Sequence, residues 1–304
     1  MKNSDINIRD PFILFENGQY YLYGTRAKDY GIKTGGFDVY VSSDLKCWSE
    51  PTECFDSEKY NLNAGSNWAP EVHKYNGKYY MFASFTRENG LLGTFILQSD
   101  HPCGPFVPLT GRAITPHHQS CIDGTFYVQD GKPHIIYSHD WPDCYVPEKT
   151  AYVGEICAAQ LSEDLTAIVG EPWVIFASDE SPISKATPDH LVYNGQNCMR
   201  YGSDGPFLQN LSDGTLVLTW SPYLNGNYVV LSVVSQSGTL KGPWTHIPEP
   251  LYDKDGGHPM FFDTHDGKRC MCLHAPERSL YERVHIFEIG ETNGTPCVIR
   301  ELGI

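Results

Sequence analysis

The chain is short of positive charge, of paired cysteines and of long apolar runs, and each shortage removes a class of function. Twenty-two Lys and Arg stand against 37 Asp and Glu, a formal net charge of −15. Binding nucleic acid requires a basic stripe, and none is visible, so no nucleic-acid partner is expected. An anionic membrane surface is disfavoured for the same reason, although acidity serves solubility as readily as it suits a neutral substrate. No stretch approaches the roughly 18 apolar residues of a membrane helix. The segment Met1 to Asp10 is polar and has no apolar h-region, so no secretory signal is expected in it. Ten cysteines are scattered between Cys47 and Cys297 without a C-x-x-C pair, which argues against zinc. They read as buried reduced thiols and point to a cytoplasmic setting. Helical periodicity is also scarce. Only Lys185 to Gln196 is ambiguous, and it reads as loop.

What the chain has is aromatic, turn-punctuated strands. Aromatic residues make up 13%, with 19 Tyr and 6 Trp, which suits strands and faces that stack on sugar rings. Arg9 to Ile13, an Asn17-Gly18 turn and Gln19 to Gly24 form one hairpin unit. The unit recurs at Pro70 with Asn76-Gly77, at Asp123 with Asp130-Gly131, at Asp204 with Asp213-Gly214 and at His258 with Asp266-Gly267. Each copy is followed by one or two further strand patterns. The leaders Asp10, Glu71, Asp123, Asp204 and His258 stand 52 to 81 residues apart, room for four short strands and variable loops. The pattern predicts an all-β fold, a five-bladed β-propeller, with residues 1–304 as one domain.

In such a fold the innermost strands converge on one mouth, so the five leaders should face a common cleft. Grouped acids repel and cost free energy, which makes function the better explanation for the set than turn capping.

Arg9-Asp10-Pro11, Trp68-Ala69-Pro70 followed by an acid, Asp123-Gly124, Ser203-Asp204-Gly205-Pro206 and Gly257-His258 together resemble glycoside hydrolase family 43 over essentially the whole chain. That resemblance implies inverting hydrolysis of α-L-arabinofuranosides, β-D-xylosides or β-D-galactofuranosides in plant-type oligo- or polysaccharides. Asp10 would be the general base, Asp123 would orient the acid and tune its proton affinity, and the acid would come from the fourth unit. One carboxylate must stay ionised while another holds a proton, with a gap between them for water.

The family usually has Glu before Gly-Pro in the fourth unit, and this chain has Asp204, a methylene shorter. Asp140 in Ser138-His139-Asp140-Trp141 is the second choice for acid and Glu155 the third. The same departure leaves open a catalytically weak or inactive carbohydrate-binding propeller. Glu71, Trp68, Asp140, Trp141 and Arg200 are expected to contact substrate or support the site. His258 is either a strand-start histidine bonded to backbone or, as the resemblance implies, the anchor of a water-coordinated calcium ion in the central channel. Calcium prefers oxygen ligands, so one histidine with waters would be an unusual site.

Overall fold

The computed structural model describes residues 1–27, 35–62, 65–140, 143–193 and 196–302. Trp141, one of the expected sugar contacts, lies outside the described residues.

Five four-stranded antiparallel sheets follow one another along the chain. Sheet I comprises Ile8–Glu16, Gln19–Arg26, Phe37–Ser42 and Thr52–Phe55, and sheet II comprises Asn67–Tyr75, Lys78–Thr86, Leu92–Ser99 and Val107–Pro108. Sheet III comprises Cys121–Gln129, Lys132–His139, Glu155–Leu161 and Ile168–Ala177. Sheet IV comprises Asp204–Asn210, Leu216–Ser221, Leu231–Ser235 and Trp244–His246, and sheet V comprises Gly257–Asp263, Arg269–Ala275, Arg283–Thr292 and Thr295–Glu301.

The hairpins begin where the turn chemistry places them. Asn17 and Gly18, Asn76 and Gly77, and Asp130 and Gly131 all have positive φ, the pair of conformations that lets a two-residue turn match the twist of its strands. Asp213-Gly214 and Asp266-Gly267 differ: only the glycine is left-handed. There the loop is wider and closed by bonds between Leu211 and Thr215 and between Thr264 and Lys268.

The first strands are packed neighbours in a cycle, sheet I against II, II against III, III against IV, IV against V, and V against I. Along the axis Phe126, His73, Phe12, Phe207 and Phe261, one ring from each first strand, touch in succession with centroids 5.1 to 6.5 Å apart. The apolar clusters lie between adjacent sheets. Tyr80, Phe82, Ile135 and Tyr137 join II to III, while Ile136, Phe176, Leu218 and Trp220 join III to IV. Trp220 and Phe37 are both fully buried.

Two additions break the repeat. Tyr145–Val146, Ala151–Val153, Thr187–Tyr193 and Gln196–Tyr201 form a further four-stranded sheet, and Tyr223–Leu224 pairs with Asn227–Tyr228. The segment expected as loop, Lys185 to Gln196, therefore contains the whole strand Thr187–Tyr193 and the first residue of the next. Its partner explains why pattern alone misses it: Gln196–Tyr201 also pairs in parallel with Ala151–Val153, some fifty residues upstream, and no local alternation announces a long-range pairing. All ten cysteines are free thiols: Cys47 and Cys103 are exposed, Cys297 is intermediate, and the others are buried.

Candidate functional site

Each first strand breaks its ladder at one place. Pairing skips Asp10-Pro11, Ala69-Pro70, Asp123-Gly124, Gly205-Pro206 and His258-Pro259. The leading residue of each skipped pair is left-handed, with φ of 50°, 50°, 54°, 55° and 58° respectively. A bulge re-aims the side chain that it carries. Here it turns Asp10, Asp123 and His258 toward the axis. It also corrects the expected set of equivalent leaders, because Ala69 occupies the position given to Glu71, and Gly205 the one given to Asp204.

The left-handed amides are held by the neighbouring sheets. Ala69 N–H donates to Thr25 Oγ1 (2.7 Å), Asp123 N–H to Ser84 Oγ (2.9 Å), His258 N–H to Ser221 Oγ (2.9 Å) and Asp10 N–H to His274 Nδ1 (3.1 Å). Each acceptor sits near the end of the second strand of the preceding sheet, so sheet V supports sheet I as sheet I supports sheet II. Between III and IV the pattern changes: Ser138 pairs with Ser203 (2.6 Å), and Gly205 N–H donates to Asp123 Oδ2 (3.0 Å).

A pocket opens over this ring, lined by Arg9, Asp10, Trp68, Ile122, Asp123, Asp140, Arg200, Asp204, Tyr223, Tyr228, His258 and Glu277. It brings together seven of the ten residues singled out in the sequence. Trp141 lies outside the described residues. Glu71 is not among the lining residues; it is 1% exposed, two positions beyond the bulge, and bonded to His73 Nε2 (2.9 Å). Glu155 does not line the pocket either. It pairs with His139 Nδ1 (3.0 Å), whose other nitrogen lies 3.2 Å from Asp143. Burial would lower the pKa of His139, but Asp143, Cys144 and Glu155 beside it outweigh burial and push it up to about 12.

The carboxyls of the pocket differ in electrostatics. Burial alone would raise Asp10, but His258, Arg9 and His274 beside it and the Thr25 hydroxyl bond (2.7 Å) outweigh it and hold Asp10 below the usual range. Asp123 goes the opposite way. Burial and the charges of Asp204 and Asp10 push it well up, against the Gly205 N–H bond. Asp204 is also raised by burial, partly opposed by Arg200 and His258, with Glu277 and Asp10 adding to the rise. Tyr228 hydroxyl, whose own proton is held by burial, donates to Asp204 Oδ2 (3.4 Å). The cavity therefore places Asp10, whose proton affinity is lowered, beside Asp123 and Asp204, whose proton affinities are raised.

His258 is 2% exposed, with Nδ1 3.3 Å from Asp10 Oδ1. Its Nε2 is buried without a hydrogen-bond partner among the described residues, so it can accept one ligand. The side-chain clusters with metal-ligand spacing among the described residues centre on His139, with Glu155 and Cys157 or with Asp143 and Cys144, and neither includes His258. A calcium ion at His258 would thus have one protein nitrogen and take its oxygens from water.

Arg9, Tyr223, Tyr228, Glu277 and, behind them, His274 were not identified from the sequence. His274 follows the hydroxyl pattern of Thr25, Ser84 and Ser221 in its sheet position, but as a histidine it gave no visible repeat.

A family model described as glycosyl hydrolases family 43 matches residues 5–293. The structure is similar to that of an endo-arabinase from Bacteroides thetaiotaomicron, with a TM-score of 0.84 and 32% identity, over 97% of this chain and 98% of that one. Among curated proteins, an arabinoxylan arabinofuranohydrolase from Paenibacillus polymyxa is 25% identical over 63% of this chain and 34% of its own length. An extracellular endo-α-(1→5)-L-arabinanase from Bacillus subtilis is 27% identical over 44% of each chain. The match thus spans less than half of the length of these two relatives.

Proposed function

The chain belongs to glycosyl hydrolases family 43, and from that premise we propose that it is an inverting glycosidase acting on α-L-arabinofuranosides, with β-D-xylosides and β-D-galactofuranosides as the other sugars to test. The cyclic packing of five first strands supports reading the fold as a five-bladed β-propeller carrying the site at its mouth. The observation that carries the reading is the split within one pocket: Asp10 is held low while Asp204 is held high, the division of labour that acid–base hydrolysis requires.

In this mechanism Asp10 removes a proton from water, and the water oxygen bonds to the anomeric carbon on the face opposite the leaving group. The glycosidic C–O bond breaks as Asp204 passes its proton to the departing oxygen. Asp123 accepts the N–H of Gly205, the residue after Asp204, and so fixes the backbone that carries the acid. Walls from the added sheet, through Arg200, and from the Tyr223–Tyr228 hairpin favour a closed pocket and release of single sugars from chain ends. His258 Nε2 would anchor a water-coordinated calcium ion, whose charge would favour the ionised form of the carboxylates around it. Calcium should then raise the melting temperature of chelator-treated protein; no change on adding calcium would remove the ion from the scheme.

The test is a panel of nitrophenyl glycosides with product anomers followed by NMR. Asp10→Asn should reduce turnover by roughly 10²–10⁴-fold, and the first-formed product should have inverted configuration. On a substrate with a poor leaving group, Asp204→Asn should lose far more activity than Asp140→Asn. The reverse order would make Asp140 the acid. Sugar binding without turnover by the unaltered protein would favour a carbohydrate-binding module instead.

A further inference from the structure

Asp10 sits in a left-handed conformation, φ 50°, that strains a residue with a side chain and persists only when its surroundings over-determine it. Its amide, excluded from the sheet ladder by the bulge, depends on His274 Nδ1 as acceptor. The bulge amides of Ala69, Asp123 and His258 use Ser or Thr hydroxyls, which can always present a lone pair, and that of Gly205 uses the Asp123 carboxylate. An imidazole can do so only if Nδ1 carries no proton, so the ring proton must reside on Nε2. That proton has a receiver: Nε2 lies 2.6 Å from Glu277 Oε2. The ring is fully buried and stacked on Tyr228, with centroids 5.7 Å apart and planes 25° apart.

Glu277 is itself pinned. Arg9, the neighbour of Asp10, donates to Glu277 Oε1 (3.0 Å) and to Glu282 Oε1 (3.1 Å), and Tyr223 hydroxyl donates to Glu277 Oε1 (3.3 Å). The chain of contacts runs from Arg9 through Glu277 and His274 back to the Asp10 amide, a closed loop around the base.

We propose that Glu277 is a positioning residue for the reaction: it fixes the Nε2–H tautomer of His274, which holds the bulge that aims Asp10. Glu277 also lines the pocket that holds Asp204. The charged and titratable groups acting on Asp204 are Arg200, His258, Glu277, Asp10, Asp123 and Tyr228. Among them Glu277 and the two aspartates favour its protonated form. Those acting on Asp10 are His258, Arg9, His274 and Asp123.

The inference rests on the glycosidase reading for its kinetic consequences and on the geometry alone for the tautomer, so two variants and two readouts keep them apart. Glu277→Gln removes the charge, and its single amide oxygen cannot serve both Arg9 and His274. Its kcat/KM should fall on the order of 10–10²-fold through misplacement of the base. The basic limb of its pH profile should move to lower pH, because Asp204 then loses its proton more easily. Glu277→Asp keeps the charge but falls short of His274; it should lose kcat while leaving the basic limb near its original place. Independently, the ¹⁵N imidazole resonances of His274 in the unaltered protein should report an Nε2–H ring, and in Glu277→Gln that signature should weaken. A His274 ring protonated on Nδ1 in the unaltered protein, or a Glu277→Gln enzyme with unchanged kcat and pH profile, would overturn the proposal. If the unaltered protein turned over no glycoside, the function would fall, and the tautomer measurement would still decide the positioning role.

Discussion

Asp123 illustrates at the residue scale how a site opposes the fold that holds it. Its carboxyl is buried beside Asp204 and Asp10, and its proton affinity is raised well above the ordinary value of 3.8. A carboxyl raised on folding stabilises the protein below its unfolded pKa, and that contribution is lost as pH rises through the folded value. At neutral pH the native state therefore bears the cost of either ionising or protonating Asp123. Asp123→Asn, whose amide oxygen can still accept the Gly205 N–H, should raise the melting temperature near pH 7.5 while abolishing efficient turnover. Each kcal/mol recovered is worth about 2–4 °C in a protein of this general size, and the gain should vanish below about pH 4, where the unfolded carboxyl is also protonated. Equal melting temperatures at pH 7.5 would mean that the buried carboxyl is compensated by its neighbours.

The decisive element is the bulge, repeated once in every first strand. It explains how Asp10, Asp123 and His258 turn to one axis, and why Gly205 stands at the fourth position. A Cβ on Gly205 would come within 2.9 Å of His258 Cγ and 3.0 Å of His258 Cα, atoms that a fully packed ring cannot move aside. Asp10, Ala69 and Asp123 show that a left-handed side chain is tolerated at this bulge, so the contact with His258 dominates. Gly205→Ala should lower stability by about 1–3 kcal/mol and disturb both Asp204 and His258, which thermal melts and residual activity would register. An unaltered melting temperature would show that the strand shifts freely, contrary to the ring of amide bonds around it.

At the scale of the whole molecule, packing of the last sheet against the first brings local repeats together at a site. Asn7 Nδ2 bonds Glu282 O (2.7 Å), Arg283 Nε bonds Ser4 O (2.8 Å) and Arg9 pairs with Glu282, tying the start of the chain to sheet V. The strand pattern, the turns at Asn17-Gly18, Asn76-Gly77 and Asp130-Gly131, and the ordered acids Asp10, Asp123 and Asp204 were determined by the sequence alone, because alternation and left-handed turn preferences act between residues a few positions apart. Tertiary structure alone decided that Ala69 and Gly205, rather than Glu71 two residues on and Asp204 one residue back, share the bulge register, since the place where a ladder breaks is set by the pairing with the partner strand. It also decided that Thr187–Tyr193 and Gln196–Tyr201 join a sheet with residues near 150. The same holds for Glu277, Tyr223 and His274, which meet Arg9 and Asp10 from the far end of the chain. Their chemistry depends on burial and on charges brought within a few ångströms, quantities that exist only once the first and last sheets touch.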